Sequence, residues 1–261
     1  MRTIWLAGMA AWLGWASALQ AAVQTRAVAY THEDAELEGF LAWDDAVDGP
    51  RPGVLVFHAW MGLGDFARDR ARELAGLGYV AFAVDMYGPG NQPQNRQEAA
   101  ALSGGFKADR ARMRGRAQAG MDVLAGNELC AGQPVAAIGY CFGGTVALEL
   151  ARSGAPLAGA VSFHGNLDTP DPDDAQQIRG AVLALHGADD PYVPPEEVQA
   201  FQDEMRAAGV DWQLVMYGGA VHAFTEPAAG DDPSRGAAYH PAAARRSWQA
   251  MKDFLAEVFS R

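Results

Sequence analysis

The chain has 261 residues, of which 49% are hydrophobic and 20% charged, and it carries a formal net charge of −12. A globule of this length buries roughly 70–75% of its unfolded surface, so neither a disulfide nor a metal is needed to hold it. The composition excludes disordered and fibrous classes, and the acidic balance without a basic run argues against nucleic acid and anionic membrane surfaces as partners.

Residues 1–22 differ from the rest. They open with Arg2, run apolar from Ile4 to Trp15 and end in small residues. A basic start, an apolar run of about a dozen and an A-x-A ending mark a secretory leader. The run is shorter than the ~20 residues a membrane span needs. Ala16-Ser17-Ala18 offers one cleavage site, with Ala21 and Ala22 as others, and an uncleaved anchor or apolar helix is the alternative. The expectation is an exported chain, periplasmic or secreted, with one domain over 23–261 and no stable membrane association after cleavage.

From there strand-like and helix-like segments alternate. RAVAYT (26–31) and LEGFLAW (37–43) read as an antiparallel pair. GVLVFH (53–58) is a continuous apolar run, as in a strand covered on both faces. DFARDRARELAGLG (65–78) sets Phe66, Leu74 and Leu77 at helical spacing, and YVAFAVDMY (79–87) is the next strand. Residues 94–126 read as helical with an interruption near SGGF (103–106); loop 88–110 would suit a partial lid. PVAAIGY (134–140) is a strand, GGTVALELARSG (143–154) a helix and LAGAVSFH (157–164) a strand. After the acidic loop DTPDPDD comes strand AVLALHG (181–187). Helix PPEEVQAFQDEMRAAG (194–209) follows, with proline in its first turn. DWQLVMYG (211–218) is the last strand and PAAARRSWQAMKDFLAEVFSR (241–261) the closing helix. The alternation predicts an α/β domain, a mostly parallel twisted sheet with helices on both faces. Such sheets bind ligands beyond the carboxyl ends of their strands.

Those ends carry the reactive residues. GYCFGG (139–144) places Cys141 between a strand and a helix, the context of a nucleophile elbow with sulfur in place of oxygen. A buried structural cysteine is the plain alternative. The only other cysteine, Cys130, lies six strand residues away, close to 20 Å, beyond the ~7 Å between Cα atoms that a disulfide spans. HGADDPYVPP (186–195) offers Asp190 or its neighbour Asp189 in a proline-bearing loop; the spacing D-x-x-V-P favours Asp190. GGAVHAFTEP (218–227) puts His222 past the final strand. The order Cys141, Asp190, His222 is that of nucleophile, acid and histidine in this fold class. His58, His164 and His186 also fall at strand ends, without spacing that suggests a metal site. His32 and His240 read as surface or helix-start residues.

From about residue 27 to its end the chain resembles the dienelactone hydrolase family of α/β-hydrolases. The resemblance rests on GYCFGG, GADDPYVP, GAVHAF and HAWMGLGDFARDRARELAGLGYVAFAVDMYG (58–88). It implies an α/β-hydrolase fold and a cofactor-free hydrolase of small esters or lactones acting through an acyl-thiol intermediate. Cys141 would attack, His222 shuttle the proton and Asp190 orient His222. The backbone N–H groups of Trp60 and Phe142 would form the oxyanion hole. Met61, Tyr87, Phe163, His164 and Phe224 would line the pocket. Three positions depart from the family pattern. Ala59 stands where a glutamate faces the nucleophile, and Pro89 and Glu226 stand where arginines grip a carboxylate. The substrate is therefore expected to be neutral and not dienelactone itself, and Cys141 and His222 to rest as a thiolate–imidazolium pair. A binding protein without turnover, or a thiol redox protein, is the rival reading.

Overall fold

The central strands are the segments whose apolar runs do not alternate, because both of their faces are covered. The computed structural model describes residues 23–261, so the expected leader over 1–22 lies outside the described residues. Eight strands form one sheet: β1 (Val23–His32), β2 (Ala35–Asp44), β3 (Gly53–Phe57), β4 (Val80–Val84), β5 (Val135–Tyr140), β6 (Leu157–Phe163), β7 (Ala181–Gly187) and β8 (Trp212–Tyr217). Their spatial order is β1-β2-β4-β3-β5-β6-β7-β8. The first pair and the β2–β4 contact are antiparallel, and every pairing from β4 through β3 to β8 is parallel. Every residue of β3, β4, β5 and β7 is buried, whereas the edge strand β8 is mostly half-exposed.

Among the described residues six α-helices cover the sheet: α1 (Asp65–Gly76), α2 (Arg96–Ala108), α3 (Arg110–Ala125), α4 (Phe142–Arg152), α5 (Pro195–Ala208) and α6 (Pro241–Val258). Successive strand residues point to opposite faces. Val54 and Val56 join Leu74 of α1 and Met251 and Leu255 of α6 in one apolar layer. Leu55 and Phe57 join Met113 of α3 and Val146 of α4 in the other. Helices thus lie on both faces, as the alternation predicts.

The helical stretch over 94–126 breaks at a different place from the one expected. Gly104 and Gly105 stay inside α2, where Ser103 Oγ donates back to the Ala99 carbonyl at 2.8 Å. The break falls at Asp109, which ends α2 and caps α3 by accepting the Arg112 N–H at 3.0 Å. A side chain that captures a free helix N–H is a stronger signal than exposed glycine.

A buried ionic network joins α3, α4 and α5 behind the elbow. The Arg152 guanidinium, fully buried, donates to both carboxylate oxygens of Glu204 at 2.8 Å and to Glu149 at 3.1 Å. Arg114 reaches Glu149 and Asp174 at 2.8 and 2.6 Å. Removing one member strands buried charge, which costs about 3–5 kcal/mol. Arg152→Ala should therefore lower unfolding free energy by about that amount in urea titrations. A loss below about 1 kcal/mol would show that the network is worth no more than a surface pair.

Candidate active site

β5 delivers the chain to Cys141, which takes φ 53° and ψ −118° before α4 begins at Phe142. A non-glycine residue in such a conformation costs roughly 1–3 kcal/mol, so its surroundings must impose it. The Cys141 N–H is shared between the Phe163 carbonyl at 3.0 Å and His164 Nδ1 at 3.1 Å. Glycine is required beside it. A Cβ on Gly143 would lie 2.2 Å from the Phe57 carbonyl oxygen, and one on Gly139 would lie 1.9 Å from that of Gly143.

The turn aims the sulfur at His222, whose Nε2 lies 3.0 Å from Cys141 Sγ. His222 Nδ1 lies 2.8 Å from Asp190 Oδ2. Asp190 is buried, and its second oxygen accepts the Tyr192 N–H at 2.9 Å. Asp189 points elsewhere, accepting the Gly219 N–H at 3.0 Å at the start of the histidine loop. Of the two acids the sequence offers, Asp190 is the one in contact with the ring. Burial by itself would lower the His222 pKa. The sulfur of Cys141 and the Asp190 carboxylate outweigh it and raise the value to about 10.

The other expected residues divide into two groups. The backbone N–H groups of Trp60 and Phe142 donate to no protein acceptor among the described residues, which leaves them free for a ligand. Tyr87 is buried against the site: its ring stacks on Phe142 at 5.7 Å and its hydroxyl donates to the Trp60 carbonyl at 3.1 Å. Burial, and then the nearby Cys141 sulfur, raise its pKa. Met61 is 43% exposed.

Phe163, His164 and Phe224 expose essentially nothing, so they underlie the site and do not line it. The strand pleat sends the Phe163 ring into the α1–α6 layer, where it stacks on Tyr140 at 4.6 Å. Phe224 packs edge-on against His164 at 5.1 Å. His164 accepts the Cys141 N–H at Nδ1, which assigns the proton to Nε2, donated to Thr225 Oγ1 at 2.7 Å. Burial, with the neighbouring His222, holds its pKa well below 6.5, so it stays neutral.

Sequence reasoning missed Tyr192, which is 54% exposed and stands edge-on to His222 at 5.3 Å. Its place two residues after Asp190 was the available signal. It also missed Asp85, which is buried and accepts the N–H groups of Tyr87 and Gly88 at 3.0 Å and the Gln92 amide at 3.1 Å. Gln92 in turn accepts the Leu63 N–H at 3.0 Å, tying loop 85–92 to the loop that carries Trp60. The end of α2 closes over the same region. Phe106 packs on Tyr87 and Phe142, and Lys107 donates to Asn166, whose amide donates to the Tyr192 carbonyl at 3.1 Å.

Glu226, in the loop after His222, is partly buried and has no hydrogen-bond or ion-pair partner for its carboxylate among the described residues. Burial pushes its pKa up to about 7, against the lowering effect of His222. Among the described residues no cluster of three or more His, Cys, Asp or Glu side chains is arranged to hold a metal ion.

A sequence profile of the Dienelactone hydrolase family matches residues 37–259. A Saccharolobus solfataricus protein, a carboxymethylenebutenolidase by assignment, is 29% identical over 88% of this chain and 97% of its own length. The structure known as m3DLH is 45% identical, with a TM-score of 0.87 over 91% of this chain and 99% of its own. P91, described as a dienelactone hydrolase-like promiscuous phosphotriesterase from metagenomic libraries, is 46% identical with the same TM-score and coverage.

The isolated carboxyl of Glu226 has a checkable sign. A carboxyl whose pKa is raised on folding costs stability as pH climbs from its unfolded value of about 4.3 through the folded value. Glu226→Gln should raise the thermal unfolding midpoint at pH 8 and leave it nearly unchanged at pH 4. Equal shifts at both pH values would show that the carboxylate charge is not the cause.

Proposed function

The chain belongs to the dienelactone hydrolase family, and from that premise we propose that it hydrolyses small neutral esters or lactones through an acyl-thiol on Cys141. One observation carries this reading: the unbroken chain from Cys141 Sγ to His222 to Asp190, at 3.0 and 2.8 Å.

The raised pKa of His222 supports a resting thiolate–imidazolium pair. The sulfur attacks the carbonyl carbon, a C–S bond forms, and the carbonyl electron pair moves to oxygen. That oxygen is received by the Trp60 and Phe142 N–H groups, each worth about 3 kcal/mol to the transition state. Protonated Nε2 of His222 gives its proton to the leaving alkoxide as the C–O bond breaks. The now neutral imidazole takes a proton from water, hydroxide adds to the thioester, and collapse expels the thiolate beside the re-formed imidazolium. Asp190 holds the ring in register throughout. Tyr192 and Met61, exposed beside the site, would supply apolar contacts, and above pH 7 the charge on Glu226 would disfavour an anionic acyl group.

The similarity to a promiscuous phosphotriesterase favours aryl phosphotriesters as side substrates. Attack at phosphorus would form a P–S bond and release the aryloxide, and water would then cleave the P–S bond. The leader over residues 1–22 would deliver the enzyme to the periplasm or beyond. Mass spectrometry of the mature chain after expression in a Gram-negative host tests that.

The deciding experiment is a stopped-flow burst with p-nitrophenyl acetate. Wild type should release nearly one equivalent of p-nitrophenol in the burst. Cys141→Ala should show none, with turnover lower by about 10³-fold or more. Equal kinetics in the two folded proteins would leave a binding or redox role. A second measurement concerns pH. Below about 10 the imidazolium persists beside the sulfur, so iodoacetamide alkylation of Cys141 should be within about tenfold at pH 6 of its rate at pH 9. An ordinary cysteine would instead gain roughly two-hundredfold over that range.

A further inference from the structure

His58 takes no part in the chemistry above, yet its side chain is fully buried beside it with both ring nitrogens hydrogen-bonded. It lies just past the carboxyl end of β3, is fully buried, and immediately precedes the loop that carries Trp60. Its Nε2 accepts the Met86 N–H at 3.2 Å, which assigns the ring proton to Nδ1. That N–H donates to the Ala59 carbonyl at 2.6 Å. Burial lowers the pKa of the ring, so the proton stays on Nδ1 through the working pH range.

The bond matters because of which peptide it holds. The Ala59 carbonyl and the Trp60 N–H belong to one planar trans peptide and point in opposite directions. Fixing the carbonyl therefore fixes the direction of the N–H. The Ala59 carbonyl has two donors, His58 Nδ1 on one side and the Gly62 N–H at 3.1 Å on the other. The next peptide is held too, since the Trp60 carbonyl accepts from Tyr87 Oη at 3.1 Å. Both peptides flanking the Trp60 Cα are thus held by hydrogen bonds to their carbonyls.

His58 also packs against the residue that carries the second donor. Its ring packs against Phe142 at 6.1 Å and edge-on against Tyr87 at 4.9 Å. Its carbonyl oxygen lies so near α4 that a Cβ on Gly143 would come within 2.6 Å. One residue thus bonds the peptide that carries the Trp60 N–H and packs its ring against the side chain of Phe142.

We infer that His58 is a positioning residue that aims the Trp60 N–H at the oxyanion through its bond to the Ala59 carbonyl. The inference rests on the acyl-transfer reading above. A merely structural histidine would affect every reaction of the site alike. A positioning one affects only those reactions that develop charge on a carbonyl oxygen. Alkylation by iodoacetamide is a displacement at carbon that builds no such charge, whereas acylation by an ester does.

The test compares His58→Leu, which keeps bulk without the donor, with His58→Asn, whose amide offers an N–H near the place of Nδ1. Acylation is read from the burst rate with p-nitrophenyl acetate, and thiol reactivity from iodoacetamide alkylation of Cys141. His58→Leu should lose about 10- to 100-fold in acylation rate, with KM nearly unchanged and alkylation within about twofold of wild type. His58→Asn should recover most of that loss. Should the leucine variant fail to fold, Tyr87→Phe removes only the bond to the Trp60 carbonyl and should slow acylation several-fold with alkylation unchanged. Unchanged acylation in His58→Leu, or a parallel fall of acylation and alkylation in either folded variant, would overturn the assignment. A wild-type protein without any burst would overturn the acyl-transfer reading itself.

Discussion

Cys141 is held at φ 53° and ψ −118°, a conformation it would not choose, and the rest of the site is arranged around that constraint. The strain is carried by close backbone packing: β5 and the start of α4 approach each other and β3 so tightly that only glycine fits at 139 and 143. The shared bonds from the Cys141 N–H to Phe163 and His164 hold the turn from below. The buried ionic network of Arg152, Glu149 and Glu204 anchors the far end of the same helix. A shift of α4 along its axis would displace at once Cys141, the Phe142 N–H and the contact with His58. Rigidity in this helix is therefore a condition of any chemistry at its N-terminus.

Four histidines cluster at the carboxyl ends of the strands, and their surroundings give them different roles. His58 and His164 are fully buried, each with one ring nitrogen accepting a backbone N–H, and burial keeps both neutral. His186 is buried near Asp190 and His222 with no hydrogen bond at Nδ1, and desolvation lowers its pKa as well. His222 alone contacts both the Cys141 sulfur and the Asp190 carboxylate, and their attraction overcomes the desolvation that dominates the others. The same side chain is thus a fixed donor in one place and a charge carrier in another, according to whether an opposite charge lies within contact distance.

Much of this was legible in the chain and some was not. The strands were visible because full burial removes polar residues from a whole run, and the helices because one-sided burial leaves a 3.6-residue period. The break in the helical stretch was misplaced because composition pointed to Gly104 and Gly105, while the outcome depended on Asp109 reaching the N–H of Arg112. The pocket was misread for a related reason. Phe163 and His164 do lie at the end of β6, and Phe224 in the loop after β8, but strand pleating and loop curvature turn their side chains inward. Sequence position locates a Cα far better than it does a ring.

By itself the sequence determined the α/β alternation, the glycine-flanked cysteine after β5 and the order of cysteine, acid and histidine along the chain. These follow from local pattern: hydrophobic period, turn residues and the short reach from a strand to its following loop. Only the tertiary structure decided that Asp190 and not Asp189 meets His222, that Tyr192 stands beside the imidazole, and that His58 grips the peptide preceding Trp60. The first two depend on where segments 32 and 30 residues apart come to rest, and the third on the Met86 N–H, 28 residues along the chain, that fixes the His58 ring; all are set by packing across the sheet.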